Sequence, residues 1–302
     1  MGRVLVGTAG FSFKDWEGIV YPADLKKRKL HPLTYYAQFY DCCEINASFY
    51  GHIRANSAQL WCDLVSAVNP AFLFTAKLNK NFTHASSTTI ANAVASSTNL
   101  DPELGKGRLD YTEHAAKVGL DVLGNNRRLG ALLMQFPATF QNTALSREYL
   151  ARLIERFRVY PLAVEVRNES WNEPAVLRTF TEAGVAFCNI DQPNIDQSLR
   201  GTTHVTAKIA YVRLYANSYS PWLGPDKDAN LTDYLHTREQ LLEWKQRIET
   251  IRASAEKTFV IANNHPNGQS AANALELKSL IDGVTVAAPP SLAKAYPQLA
   301  AP

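Results

Sequence analysis

The sequence is poor in cysteine, glycine, proline and long apolar runs, and each shortage excludes a class of protein. Only 4 of its 302 residues are cysteine, which excludes a small disulfide-built scaffold. Glycine and proline number 15 each, too few for a collagen-like or disordered chain. No segment reaches the roughly 20 apolar residues of a membrane helix. Basic residues (31) barely exceed acidic ones (28), so the charge does not indicate a nucleic-acid-binding protein.

The cysteines and the amino terminus together favour the cytoplasm. Cys42 and Cys43 are adjacent, so they point to opposite faces of a strand, and the chain has no C-x-x-C metal spacing. The first residues run into a short strand without the apolar segment of a secretory signal. We therefore expect a cytoplasmic globular protein whose thiols lie in its core.

Short apolar runs alternate with longer helical patterns along the whole chain. Strands are predicted at residues 3–7, 42–48, 72–78, 129–136, 162–167, 185–191, 209–216 and 258–263. Helices are predicted at residues 33–40, 56–68, 111–123, 147–158, 174–183, 238–254 and 268–281. This β/α alternation predicts parallel strands joined by right-handed crossovers, as in a (β/α)₈ barrel or a doubly wound open sheet.

Two observations favour the barrel. A barrel takes about 250 residues, and the surplus fits three long loops at 79–110, 192–208 and 217–237, each of which follows a strand. No strand is followed by a glycine-rich phosphate-binding loop, the usual mark of a doubly wound nucleotide fold. We predict one (β/α)₈ TIM-like barrel domain over residues 1–302, with long loops at the carboxyl-terminal face of its strands.

Polar and charged residues alternate with apolar ones inside several predicted strands. In the fifth strand, Leu162, Val164 and Val166 share one face while Glu165 and Arg167 share the other. A charge facing the helix layer is costly, so the polar faces are expected to point into the barrel. Seven side chains are thereby predicted to converge on one pocket: Glu44, Lys77, Gln135, Glu165, Arg167, Asp191 and Arg213. The alternative is a buried ion-pair network without a ligand.

Motifs spread in order over nearly the whole chain are similar to those of the YecE-like family, a family of unknown function. They lie at 6–16 (VGTAGFSFKDW), 21–22 (YP), 44–50 (EINASFY), 76–78 (AKL), 83–84 (TH), 135–140 (QFPATF), 164–171 (VEVRNESW), 211–214 (YVRL), 263–264 (NN), 268 (G) and 273–276 (NALE). The resemblance implies a TIM-type barrel in a cytoplasmic protein without an established activity.

The chain departs from the family pattern at two positions. Tyr215 and Ala216 follow Arg213-Leu214 where the family tends to have histidine and glycine. His265 stands where an acid often follows the two asparagines. Any mechanism that needs an imidazole at the end of the seventh strand is therefore in question.

Candidate roles follow from residue chemistry. Glu44, Glu165 and Asp191 are predicted as catalytic acids and bases, and Lys77 as a fourth catalytic residue that binds an anion or forms a Schiff base. For Lys77 a salt bridge to Glu44 or Glu165 is the alternative, and it is favoured over the Schiff base. The predicted substrate-binding residues are Trp16, Asn46, Tyr50, His84, Gln135, Arg167, Trp171, Arg213, Tyr215 and Asn263. Trp16 and Trp171 are expected to stack on a sugar or base, whereas His31, His114 and His236 are expected to be solvated.

The sequence is compatible with three functions. The first is an enzyme using acid–base chemistry on a small polar, phosphorylated or sugar-like substrate, with hydrolysis, isomerisation and lyase chemistry all open. The second is a non-catalytic ligand-binding barrel, and the third is a metal-dependent nucleic-acid hydrolase. The sequence predicts no cofactor, offers only weak ligands for a divalent metal, predicts no membrane partner, and does not predict an oligomeric state.

Overall fold

Eight parallel strands close into a barrel in the order of the chain. A computed structural model of the protein describes residues 1–95, 105–192, 197–215 and 233–300, with the backbone alone for 105–111. Each strand pairs with the next, and the last pairs with the first. The strands are β1 Arg3–Ala9, β2 Cys42–Ile45, β3 Leu73–Lys77, β4 Leu129–Gln135, β5 Leu162–Glu165, β6 Ala186–Asp191, β7 Ile209–Leu214 and β8 Lys257–Ala262. The barrel prediction is confirmed, and the open sheet is wrong.

Helices follow the strands and form the outer layer. They are α1 Pro32–Tyr36, α2 Ala55–Ser66, α3 Lys80–Thr83, α4 Ser87–Ala95, α5 Gly105–Asn125, α6 Ala144–Phe157, α7 Pro174–Ala183, α8 Arg238–Arg252, α9 Gln269–Asp282 and α10 Pro290–Ala295. Local chemistry sets several ends. Thr237 and Gln240 form a capping box at the start of α8, and Gly184 ends α7 in the left-handed conformation.

The three predicted loops have different outcomes. The described part of 79–110 is not a plain loop, because it holds α3, α4 and the start of α5. Of the loop 192–208, residues 193–196 lie outside the described residues, and the loop predicted at 217–237 lies outside them as far as residue 232. The single-domain assignment over 1–302 stays a prediction.

The strand register decides which side chains enter the barrel lumen. Neighbouring residues on parallel strands point to the same side of a sheet. The pairs Glu44–Thr75 and Gln135–Glu165 place these four side chains on one side, and Ile190 pairs with Arg213 on that same side. This side is the lumen, because its side chains reach across the barrel to strands that are not neighbours. Tyr211 of β7 bonds to Glu44 of β2, and Arg213 of β7 bonds to Glu165 of β5.

Strand β2 is shorter than predicted. It ends at Ile45 and not at Ser48, because residues Asn46–Phe49 form a 3-10 helix. The Ser48 hydroxyl donates to the carbonyl of Ile45 (2.6 Å) and accepts from the backbone N–H of Lys77 (3.0 Å). This turn therefore bridges the carboxyl ends of β2 and β3, where it positions Lys77.

Two further findings concern the thiols and membranes. All four cysteines, Cys42, Cys43, Cys62 and Cys188, are buried and form no disulfide. Within the described ranges, no helix combines the length and apolarity needed to cross a membrane.

Candidate functional site in the barrel lumen

A buried arginine links two glutamates across the lumen. Arg213 is 1% exposed, and its guanidinium donates to Glu165 Oε2 (2.6 Å) and to Glu44 Oε1 (2.8 Å). It also donates to Asn263 Oδ1 at 3.3 Å. Burial alone lowers the pKa of Arg213, but Glu44 and Glu165 outweigh it and hold that pKa above its ordinary value. Arg213 is therefore a permanent cation that joins β2, β5, β7 and the end of β8.

Both glutamates are fully buried and fully engaged. Glu44 Oε2 accepts from the Tyr211 hydroxyl (2.9 Å), while Glu165 accepts from Tyr215 (2.8 and 3.1 Å) and from Arg167 Nε (3.1 Å). Together with the bonds to Arg213, every carboxylate oxygen accepts at least one hydrogen bond. Carboxylates held this way balance the buried guanidinium and are poorly placed to take a proton from a substrate.

Lys77 differs from the other lumen charges because its amine has no anionic partner. The side chain is 8% exposed at the end of β3, and its Nζ forms neither a salt bridge nor a hydrogen bond with any residue in the described ranges. The amine lies 4.2 Å from the centre of the Phe49 ring. Burial, followed by the nearby Arg213, lowers the pKa of Lys77 to about 8 against the opposing effect of Glu44 and Glu165.

Tyr215 lies between two arginines at the end of β7. The guanidinium carbons of Arg167 and Arg213 are each 4.7 Å from the centre of its ring. Its hydroxyl donates to Glu165, so the phenol fixes that carboxylate. Tyr215 therefore has a structural role at the end of β7, and this position supplies a phenol and not an imidazole to the lumen.

Two amide oxygens of β4 and of the turn after β2 are buried and accept no hydrogen bond from the described part of the chain. They are Gln135 Oε1, on the lumen side of β4, and Asn46 Oδ1, in the turn after β2. Buried acceptors are almost always paired, so each of these oxygens calls for a donor. A substrate hydroxyl or amine, or a water molecule, would satisfy them.

His84 and Tyr50 lie at the rim and not inside the lumen. The His84 side chain is exposed, its Nδ1 is 3.0 Å from Thr83 Oγ1, and its ring meets Phe49 edge-on at 5.0 Å. Partial desolvation against Phe49 and Thr83, then the positive charges of Lys77 and Arg167, lowers the pKa of His84. Tyr50 is 70% exposed, with Lys80 Nζ 5.7 Å from its ring centre.

Asp191 does not join the lumen cluster, which corrects the sequence prediction. It pairs in register with Leu214, on the opposite side of the sheet from Arg213. Its Oδ2 accepts from His236 Nε2 at 2.7 Å, and His236 is only 2% exposed. The prediction of a solvated His236 is therefore wrong. Asn273 Oδ1 accepts from the His236 backbone N–H, so the pair is anchored to α9 outside the barrel.

The two candidate tryptophans are buried and present no ring face to a ligand. Trp16 is 0% exposed, and its indole N–H donates to the carbonyl of His265 (2.8 Å). Trp171 is 1% exposed, donates to the carbonyl of Phe140 (2.7 Å) and stacks on the Phe140 ring. The stacking role predicted for them does not fit these positions, so both are better described as core residues.

His265 also packs within the protein. Its ring stacks on Phe13 with centroids 4.5 Å apart. Burial lowers the pKa of His265. As for metals, the described residues contain no cluster of three or more His, Cys, Asp or Glu side chains that could hold an ion.

Comparisons with known proteins agree on one family. The family model "Protein of unknown function DUF72" matches residues 5–295. The chain is 24% identical over 295 residues to "UPF0759 protein YunF" of Bacillus subtilis, covering 92% of this chain and 95% of that protein. A DUF72 crystal structure from Thermotoga maritima is 26% identical with a TM-score of 0.73, covering 93% of this chain and 99% of that one.

A second DUF72 crystal structure, from Enterococcus faecalis, is 21% identical with a TM-score of 0.77. It covers 93% of this chain and 96% of its own. At that identity the likeness concerns the fold alone, and it agrees with the closed barrel described above. On the family model, which spans nearly the whole sequence, this chain belongs to the DUF72 family of proteins of unknown function.

Proposed function

We propose that this protein is an enzyme that binds a small anionic substrate in the barrel lumen and uses Lys77 as its acid–base group. One observation carries the proposal. The Lys77 side chain is 8% exposed and its amine has no anionic partner in the described ranges, whereas both lumen glutamates are engaged by Arg213 and by tyrosines. A buried charge is costly unless something pairs with it, and an anionic ligand would pair with this one.

The charge balance of the lumen supports an anion. Among the lumen residues that the structure describes, Lys77, Arg167 and Arg213 can carry three positive charges, against the two negative charges of Glu44 and Glu165. The surplus positive charge lies on Lys77, which forms no ion pair with any acidic residue that the structure describes. Phosphate and carboxylate are the anions that lysine and arginine side chains most often bind.

The unpaired amide oxygens support a substrate with hydroxyl groups. Gln135 Oε1 and Asn46 Oδ1 accept hydrogen bonds and cannot donate them. A phosphorylated or carboxylated polyol offers an anion to Lys77 and donors to these oxygens at once. The substrate class is accordingly a phosphorylated or sugar-like acid of small size.

Lys77 suits acid–base chemistry better than the glutamates do. With a pKa of about 8, its amine exists in both protonation states near neutral pH. Glu44 and Glu165 hold Arg213, and Asp191 holds His236 outside the lumen. In this proposal the first two are positioning residues, and Asp191 lies outside the site.

Titration calorimetry with inorganic phosphate tests the binding step. We expect phosphate to bind the wild type at pH 7 and to bind Lys77→Met at least tenfold more weakly. Lys257→Met is the matched control, because Lys257 is an exposed strand lysine at the start of β8, at the opposite end of the barrel. Phosphate that fails to bind the wild type, or binds all three proteins alike, would overturn the proposal.

A non-catalytic ligand-binding barrel is the second candidate, and the full engagement of both glutamates favours it. It makes the same binding prediction but no turnover. Incubating the wild type and Lys77→Arg with phosphorylated sugars that bind, and following products by NMR, separates the two. Product formed by the wild type and lost in Lys77→Arg supports the enzyme.

A YecE-like relationship and a cytoplasmic location are also part of the proposal. The YecE-like motifs support a YecE-like relationship within the DUF72 family. The four buried free thiols support a cytoplasmic location, since reducing compartments keep cysteines unpaired. Fractionation of the native host with an antibody against the protein tests the location, and recovery outside the cytoplasm would contradict it.

A further inference from the structure

We propose that Lys77 is a nucleophile, whose amine condenses with a small aldehyde or ketone bearing a phosphate or carboxylate group to form an imine. This inference rests on the proposed function, because it assumes that the anionic substrate enters the lumen. It adds a covalent bond to the substrate and names a carbonyl group as the reacting centre.

The position of the amine supports a nucleophilic role. Lys77 lies at the carboxyl end of β3, where its backbone is fixed by the hydrogen bond to Ser48. Its Nζ rests over the Phe49 ring, and no carboxylate in the described ranges holds it by an ion pair. An amine paired with a carboxylate is held in the protonated, unreactive form, so the missing partner leaves Lys77 available.

The surroundings also favour a neutral amine. Arg213 on the neighbouring lumen surface repels a second positive charge, and burial removes water that would stabilise it. With a pKa of about 8, roughly a tenth of the Lys77 amines are neutral at pH 7, compared with well under a thousandth for an ordinary lysine. Only the neutral amine carries the free electron pair that attacks a carbonyl carbon.

The reaction balances without any further reagent. The nitrogen electron pair forms a C–N bond to the carbonyl carbon, and the C=O π pair moves to the oxygen, which takes up a proton. The resulting carbinolamine loses that oxygen as water while nitrogen and carbon form a double bond. Amine and carbonyl thus give imine and water, and no atom is oxidised or reduced. The protonated imine keeps one positive charge, which the anionic group of the substrate balances.

Reductive trapping tests the inference with a matched pair of small probes. The protein is incubated at pH 7 with glycolaldehyde phosphate or with glycolaldehyde in the presence of cyanoborohydride, which reduces an imine to a stable secondary amine. Peptide mass mapping then locates the adduct. We expect glycolaldehyde phosphate to label Lys77 at concentrations at least tenfold below those that label the exposed Lys257. Unphosphorylated glycolaldehyde should lose that preference, and inorganic phosphate should protect Lys77.

Lys77→Arg separates failure of this inference from failure of the proposed function. Arginine keeps the positive charge but does not form an imine, so this variant should still bind inorganic phosphate within about threefold of the wild type. Phosphate binding without preferential labelling of Lys77 would overturn the imine and leave the proposed function standing. Absence of phosphate binding to the wild type would overturn both. With glycolaldehyde phosphate as the probe, labelling of Lys77 no faster than Lys257 counts against the inference.

Discussion

Replacement of Lys77 by methionine should stabilise the protein at neutral pH. Methionine keeps the length of the side chain and its packing against Phe49, and it removes the charge of a largely buried side chain that has no ion-pair partner in the described ranges. The folded protein lowers the pKa of this lysine from 10.5 to about 8. At 1.36 kcal/mol for each pKa unit, the charged form costs the folded state about 3 kcal/mol at pH 7.

The pH dependence distinguishes this effect from ordinary repacking. Between pH 8 and 10.5 the unfolded chain holds a proton on Lys77 that the folded chain has released, so wild-type stability rises with pH across that window. The variant also loses the cation–π attraction between the ammonium and the Phe49 ring, which reduces the gain in stability by about 1 kcal/mol. The variant should therefore gain about 2 kcal/mol at pH 7, and the gain should vanish near pH 10.5.

Urea denaturation followed by circular dichroism from pH 6.5 to 10 measures the difference in the free energy of unfolding between the variant and the wild type. Groups that titrate alike in both proteins contribute equally to each and cancel in this difference. Lys257→Met should show no pH-dependent difference from the wild type, because that lysine is exposed. A Lys77→Met variant that is less stable than the wild type, or whose difference is the same at pH 7 and pH 10, would refute the reasoning.

Three other substitutions test the remaining parts of the site. Arg213→Met should cost about 3–5 kcal/mol in urea denaturation, because it leaves Glu44 and Glu165 buried without their cation. Asp191→Ala should cost about 1–3 kcal/mol by removing the partner of buried His236, yet leave phosphate affinity in calorimetry unchanged. Trp171→Phe should lose about 1–2 kcal/mol with the hydrogen bond to Phe140, and it too should leave phosphate affinity unchanged.

Each of these has a control or a contradicting outcome. Arg158→Met removes a 70% exposed arginine of a surface ion pair and should change stability by less than about 1 kcal/mol. If Arg213→Met were as mild, the central role of the Arg213 network would be wrong. Loss of phosphate binding in Asp191→Ala would show that Asp191 belongs to the binding site. The same loss in Trp171→Phe would support the predicted role of Trp171 in ligand stacking.

The alternation of apolar strands and helices was sufficient to predict the barrel, because the strands are short, rich in apolar residues and in most cases followed by a helix. It was insufficient at the end of β2. Residues Asn46 and Ser48 continue the two-residue period of Glu44, but Ser48 bonds back to Ile45 and turns the chain into a 3-10 helix. A serine side chain that hydrogen-bonds to a nearby backbone carbonyl can end a strand without changing the two-residue alternation of polar and apolar residues.

The prediction of lumen residues succeeded where the polar face of a strand is the inner face. Glu44, Lys77, Gln135, Glu165 and Arg213 all lie on that side. In β6 the polar face, with Asn189 and Asp191, is the outer one, because His236 and loop atoms supply buried partners there. His236 lies 45 residues from Asp191 in the chain, so no local pattern in the sequence indicates the pair.

A titration of Lys77 by NMR tests the central claim most directly. In protein labelled with ¹³C at the lysine ε carbons, the Lys77 resonance is assigned by its absence from Lys77→Arg and followed from pH 6 to 11. We predict a midpoint near pH 8 that moves upward when inorganic phosphate is added, because a bound anion stabilises the protonated amine. A midpoint near 10.5, unmoved by phosphate, would contradict the account.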